Sequence, residues 1–153
     1  MGGSGKGGNL KKAGNSESQA EKKAKKSKET PLSPISFLTW FEIPAHDFQR
    51  AVAFYNRLFN VEMETSEVNT YAMAFLPHDK GMSGAIICGE GSIPSDKGPL
   101  LYLNASAPLE DMLPRIEEMG GRLLLGKTLI SESAGYFALF LDSEGNKLAL
   151  HEK

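Results

Sequence analysis

The 153-residue chain is 41% apolar, carries a formal net charge of −2 and has one cysteine, Cys88. No apolar stretch approaches the roughly 20 residues that cross a bilayer, so no membrane span is expected, and a single thiol excludes an internal disulfide or a zinc site built on several thiolates. The start, MGGSGKGG, lacks the apolar segment of a secretory signal, so the expected compartment is the cytoplasm.

Charge divides the chain. Residues 1 to 33 hold eight Lys against three Glu, while the remainder has nine basic against sixteen acidic residues. Six glycines and almost no large apolar side chain leave the start unable to offset its ordering entropy by burial, so residues 1–34 are expected to form a disordered Lys/Gly-rich tail. Its run Lys22 to Lys28 would attract polyanions only weakly and reads as a solvated extension. The acidic body offers no basic face set with aromatic readers, so nucleic acid is not an expected partner.

From Ile35 the run ISFLTWFEI predicts a strand buried on both faces, ended by Pro44. Asp47 then stands as the N-cap of a helix whose Phe48, Ala51, Val52, Tyr55, Leu58 and Phe59 form one apolar stripe. Three short antiparallel strands are predicted near Val61 to Ser66, Thr70 to Leu76 and Ser83 to Cys88. A second strand-helix unit follows: a strand over Pro99 to Ala105, then a helix within PLEDMLPRIEEMGG closed by Gly120 and Gly121. Pro114 should make that helix start late, at Leu113, or kink it. Strands over Arg122 to Ile130, Gly135 to Leu141 and Lys147 to His151 complete the chain.

The two halves, 35–90 and 98–153, repeat one order. A shift of 61 residues superposes Phe48, Ala51, Val52, Tyr55 and Leu58 on Leu109, Met112, Leu113, Ile116 and Met119, and Trp40 on Leu101. Each half then reads strand, helix, three strands.

This tandem βαβββ pattern, with FEIPAHDFQRAVAFYNRLF at its start and GYFALFLDSEGNKLALHE at its end, resembles the vicinal oxygen chelate superfamily, which includes glyoxalase I, bleomycin-resistance proteins and extradiol dioxygenases. The resemblance covers residues 35 to 152 and implies an α+β domain, 35–153, whose modules form a cupped mixed sheet. In catalytic members four ligands, usually His and Glu, hold one divalent metal in the cup. Carried over by position, these fall on Trp40, on Leu101, on Ala149 and within Ala85 to Cys88, where only Cys88 has a donor. The resemblance thus implies the fold without the metal or any other cofactor.

Strand alternation places Glu42 on the face of Trp40 and His151 on the face of Ala149, so both are expected to point into the cup as the acid/base candidates. The plainer alternative makes Glu42 a strand-end polar residue and His151 a partly exposed residue near the C-terminus. Tyr102 and Asn104 are expected on the face opposite Leu101, away from the cup. Tyr71 and Tyr136 read as packing residues, His46 and His78 as solvent-facing, and Cys88 as a small buried hydrophobe. Neither glycine cluster has the strand-helix context of a phosphate loop.

Three functions are compatible with this reading. The first is metal-independent binding of a small organic molecule in a cup lined by Trp40, Met73, Phe75 and Leu101, with sequestration by bleomycin-resistance proteins as the family precedent. The second is an enzyme: a lyase or isomerase using Glu42 and His151, or a dioxygenase-type enzyme with relocated metal ligands. The third is a structural module that dimerises, since sheets of this family often pair between chains, which would make a homodimer the partner.

Overall fold

In the computed structural model, which describes residues 2–4 and 37–153 without the side chain of Met82, the first half runs β1 (Phe41–Pro44), α1 (Phe48–Phe59), β2 (Glu64–Val68), β3 (Tyr71–His78) and β4 (Gly81–Cys88). The second half runs β5 (Tyr102–Asn104), α2 (Leu109–Glu118), β6 (Arg122–Ser131), β7 (Gly135–Leu141) and β8 (Lys147–Glu152). Each half contributes one four-stranded mixed sheet, in the order β1-β4-β3-β2 and β5-β8-β7-β6. The first strand of each half runs parallel to the last, and the other pairs are antiparallel. The expected α+β tandem of βαβββ modules is therefore present, built from two four-stranded mixed sheets. Leu38–Lys153 form one compact unit. The lysine-rich tail assigned to residues 1–34 lies, apart from residues 2–4, outside the described residues. Among the described residues no helix is long and apolar enough to cross a membrane.

One core joins the halves. Ile43, Ala74, Leu76 and Ile86 of the first sheet and Ala138, Phe140, Leu148 and Leu150 of the second meet the apolar faces of both helices in a single cluster. Phe54 of α1 stacks on Phe140 of β7 at 6.2 Å, so the first helix packs onto strands of the second half. Burial of side chains of this size contributes roughly 1.5–3 kcal/mol each.

Polar groups brace the same junction. Asp47 caps α1 by accepting the Arg50 backbone N–H at 3.0 Å, as its position predicted. The turn between β7 and β8, DSEGN in sequence, supplies the rest. Glu144 accepts the backbone N–H groups of His46 and Asp47 at 3.0 and 2.7 Å and the Arg50 guanidinium at 2.7 and 3.1 Å. Its carboxylate thus satisfies donors at the start of a helix nearly a hundred residues away. Asn146 donates to the Pro44 carbonyl at 2.7 Å, and Asp142 accepts the buried Tyr55 hydroxyl.

Three expectations need correction. The first strand begins at Phe41 and is an edge strand with one buried face, not a run from Ile35 buried on both. Its partner β4 starts at Gly81, only three residues before the Gly84 that pairs with Phe41, so little strand remains to pair with earlier residues. Ile35 itself lies outside the described residues, and Phe37 is fully exposed. The second helix starts at Leu109 rather than Leu113 and contains Pro114. The missing N–H of Pro114 leaves the Glu110 carbonyl without its helical donor, a cost that burial of Leu109, Met112 and Ile116 on one face offsets. Finally, the 61-residue shift holds for the helices but not for the first strands. Ile43 and Leu103 both turn to the core, which makes the strand shift 60.

Candidate functional site

A one-residue difference in strand register exchanges the faces of every side chain, and here it decides what lies outside the core. Residues paired directly across strands share a face. In the first sheet the rows Glu42–Ala85–Phe75–Glu64 and Pro44–Ile87–Met73–Ser66 therefore point away from the helices. In the second sheet the outward rows are Tyr102–Ala149–Leu139–Leu125 and Asn104–His151–Phe137–Thr128, flanked by Lys147–Leu141–Arg122. Tyr102 and Asn104, expected to face away from the cup, in fact share the face of Ala149 and His151. Leu101 precedes β5 and packs against the core instead.

The first outward face carries an aromatic pair. Trp40, immediately before β1, lies beside Phe75 with ring centroids 6.4 Å apart and planes tilted by 56°. Trp40 is 37% exposed, and Met73 and Phe75 are half-buried next to fully covered Ala85. Two small residues, Gly84 and Ala85, let this region of β4 lie under its neighbours. A Cβ on Gly84 would stand 2.5 Å from the Phe41 carbonyl oxygen, on the core side. The second outward face has its own pair, Tyr102 and Phe137, with centroids 6.1 Å apart.

Glu42 and His151 occupy different places. Glu42 borders a depression of about 180 Å³ with Pro44, Ile93, Leu101, Asn146 and Lys147. That volume falls below the roughly 300 Å³ at which drug-sized ligands are held. His151 borders a broad groove with Asn104, Ser106, Pro108 and Glu152, and its Nε2 is hydrogen-bonded to the Ala134 carbonyl oxygen. No hydrogen bond or ion pair joins Glu42 to His151, so one chain does not assemble them as a proton-transfer pair.

The metal positions of the resembling superfamily do not fit a metal here. The strand shift of 60 moves the counterpart of Trp40 from Leu101 to Leu100, and neither leucine has a donor atom. Ala85 and Ala149 stand at matching places on β4 and β8, opposite Glu42 and Tyr102, and likewise offer none. Cys88 pairs with Ala72 on the inner face, packs against the core and approaches the His46 carbonyl at 3.6 Å, so its thiol turns away from the outward surface. Among the described residues no three His, Cys, Asp or Glu side chains come together as a metal site.

Charged groups with displaced titration belong to two ion-paired clusters, one at the bracing turn and one around Lys127. The Arg50 guanidinium is raised by its hydrogen bond to Glu144. Burial pushes Glu144 up, but hydrogen bonds from Arg50, the Asp47 backbone and Ser143 outweigh it and leave the carboxyl below its usual value. Lys127 is raised by hydrogen bonds to Glu110 and Glu152, and its ammonium lies 4.4 Å from the Tyr136 ring centroid. Sequence reasoning missed these partners because each joins residues far apart in the chain. The acidic turn DSEGN was the one visible sign of the Glu144 contacts.

No family model matches the sequence, and no curated protein matches it either. Solved structures do. A glyoxalase/bleomycin resistance protein from Albidiferax ferrireducens is 16% identical, with a TM-score of 0.58 over 77% of this chain and 100% of that one. A glyoxalase-related enzyme from Fulvimarina pelagi is 14% identical, with a TM-score of 0.54 over 76% of this chain and 88% of that one. Glyoxalase I from Zea mays is 16% identical, with a TM-score of 0.55 over 74% of this chain, but the match spans only 45% of the maize chain. At these identities the likeness is one of fold.

Proposed function

On the glyoxalase/bleomycin-resistance fold that this chain has, the fold of the vicinal oxygen chelate superfamily, we propose that the protein binds a small flat or amphipathic organic molecule without a metal. The observation that carries this reading is the half-exposed pair of Trp40 and Phe75, with Met73 beside it and the Glu42 carboxylate in the same row. Apolar walls with a few placed polar groups are what such ligands need. Leu101, across the depression that Glu42 borders, is a lining residue in this proposal. A cytoplasmic setting is part of it and rests on the single thiol.

Because Trp40 is the only tryptophan, its fluorescence reports directly on the site. A metabolite screen should yield compounds that quench or shift its emission, and Phe75→Leu should weaken their binding by roughly tenfold, the effect of about 1.4 kcal/mol of lost aromatic contact. Binding measured by titration calorimetry that Trp40→Leu and Phe75→Leu both leave unchanged would overturn the assignment.

Catalysis is the second reading. A lyase or isomerase step by Glu42 and His151 requires the two to meet, and in a single chain they border separate surfaces. It therefore depends on the pairing of sheets between chains.

A further inference from the structure

Three charged groups of both signs converge on the seam between the halves. Glu42 of β1, Lys97 of the segment that joins the halves and Lys147 of β8 all border the depression of about 180 Å³. Among the described residues none of the three forms an ion pair, whereas Arg50, Arg57 and Lys127 all do. Glu42 and the two lysines thus face one small space without neutralising each other across it. The rest of its wall is largely apolar, with Ile93, Pro99 and Leu101 on the side of the joining segment. Buried Asn146 holds the sides together. Its amide nitrogen donates to the Pro44 carbonyl at 2.7 Å, and its oxygen accepts the Ser95 backbone N–H at 3.0 Å, which ties the joining segment to β1. The Ser95 hydroxyl in turn accepts the Lys97 backbone N–H at 3.0 Å. The backbone from which Lys97 reaches the depression is therefore set before a ligand arrives, which lowers the ordering cost of binding.

We propose that this depression binds a free amino acid with a branched apolar side chain. Its carboxylate would lie at Lys97 and Lys147, its ammonium at Glu42, and its side chain against Ile93, Pro99 and Leu101. A zwitterion meets both signs at once. A simple anion of the same size would be repelled by Glu42, and a simple cation by the two lysines. Size agrees with this class. A volume of 180 Å³ is the liquid share of about six water molecules, and the rim at Ile93, which is 73% exposed, leaves space for a few atoms more. That suits a molecule of the size of leucine and is too small for the drug-sized ligands that need roughly 300 Å³. The inference rests on the proposed binding of a small molecule, since Glu42 and Leu101 belong to both, and it adds the ligand's charges and size.

Titration calorimetry of the full chain with leucine, isoleucine and valine tests it. At least one of the three should bind with a dissociation constant of about 1 mM or tighter. For leucine, the analogue without the ammonium is isocaproate and the analogue without the carboxylate is leucinamide. Each should bind at least about tenfold more weakly than the amino acid, the loss expected when one charge-assisted contact goes. Lys97→Met and Lys147→Met should each weaken amino-acid binding about tenfold with an unchanged circular dichroism spectrum, and Glu42→Gln should abolish the preference for leucine over isocaproate. No binding of any of the three at about 10 mM would overturn the proposal. So would analogues that bind as tightly as leucine, or binding that both lysine variants leave unchanged. Phe75→Leu separates this site from the aromatic one, because Phe75 does not line the depression. Compounds that Phe75→Leu weakens and the lysine variants do not would uphold the aromatic site and strike the amino-acid site. Amino-acid binding lost in Lys147→Met and kept in Phe75→Leu would do the reverse.

Discussion

The Tyr55 hydroxyl donates to Asp142 at 2.6 Å across 87 positions of sequence, both groups being buried, and so fastens the helix of the first half to the closing turn of the second. Asp142 also accepts the backbone N–H groups of Glu144 and Asn146, each at 2.9 Å. Tyr55→Phe removes one donor from a charged acceptor that keeps its others, and should cost about 1.5–3 kcal/mol in denaturant unfolding. Asp142→Ala orphans several donors together and should cost more.

The same pair sets an alkaline limit. Burial, followed by the Asp142 charge and its hydrogen bond, holds the Tyr55 phenol well above its ordinary value of 10. The unfolded chain releases this proton first as pH rises, so the stability it contributes is complete below pH 10 and is lost above it. Stability measured from pH 8 to 11 should fall at the alkaline end in the wild-type chain. Tyr55→Phe should flatten that fall, and an equal slope in the variant would assign it to other groups.

Glu144 sets the acid limit by the opposite sign. Its folded value is lowered, so its contribution is present above the ordinary carboxyl value of 4.5 and is lost as pH falls below it. Protonation would leave the N–H groups of His46 and Asp47 and the Arg50 guanidinium with a weaker acceptor. Glu144→Gln should therefore lower stability by about 2 kcal/mol at pH 7 and by much less at pH 3, which thermal melts at the two values would reveal. A constant difference would mean that the carboxylate's charge is not what holds the helix start.

What was legible in the sequence follows the range of the interaction. The α1 stripe and its Asp47 cap are local, and helical spacing revealed both. The order of elements along each half, strand, helix and three strands, was legible because the halves repeat. Which face a strand buries was not, because the repeat slips by one residue between strand and helix, and that slip sent Tyr102 and Asn104 to the outward face and Leu101 to the core side. The separation of Glu42 from His151 was hidden for a related reason. Alternation fixes a face within one sheet and says nothing of how two sheets are disposed. Pro114 marked a helix start by rule, yet Leu109 and Met112 carry the helix through it by burial.

Gly84 shows how closely the edge strand is held. A methyl group there would meet the Phe41 carbonyl oxygen at 2.5 Å and the Phe41 ring at 2.9 Å, both in β1. Neither the backbone nor a ring packed against the core can yield cheaply, so Gly84→Ala should destabilise by about 1–3 kcal/mol, the usual cost of overpacking. Hydrogen exchange at Ile43 and Pro44's neighbour Ala45 should accelerate, because their strand is the one displaced. Since Trp40 enters β1 directly, its emission should also shift towards that of the unfolded chain.

A divalent metal should not stabilise this protein. A native-state ligand present at a hundred times its dissociation constant adds about 2.7 kcal/mol and raises the melting temperature accordingly. Such a gain needs converging donors, while Trp40, Leu100, Ala85 and Ala149 supply none and Cys88 faces inward against the core. Melts of chain purified without a metal-affinity tag should coincide in chelator, nickel, zinc and manganese, and elemental analysis should find well below one equivalent of each. A rise with one ion alone would mean that ligands from outside these positions, in a second copy or in residues 5–36, complete a site that the outward faces lack.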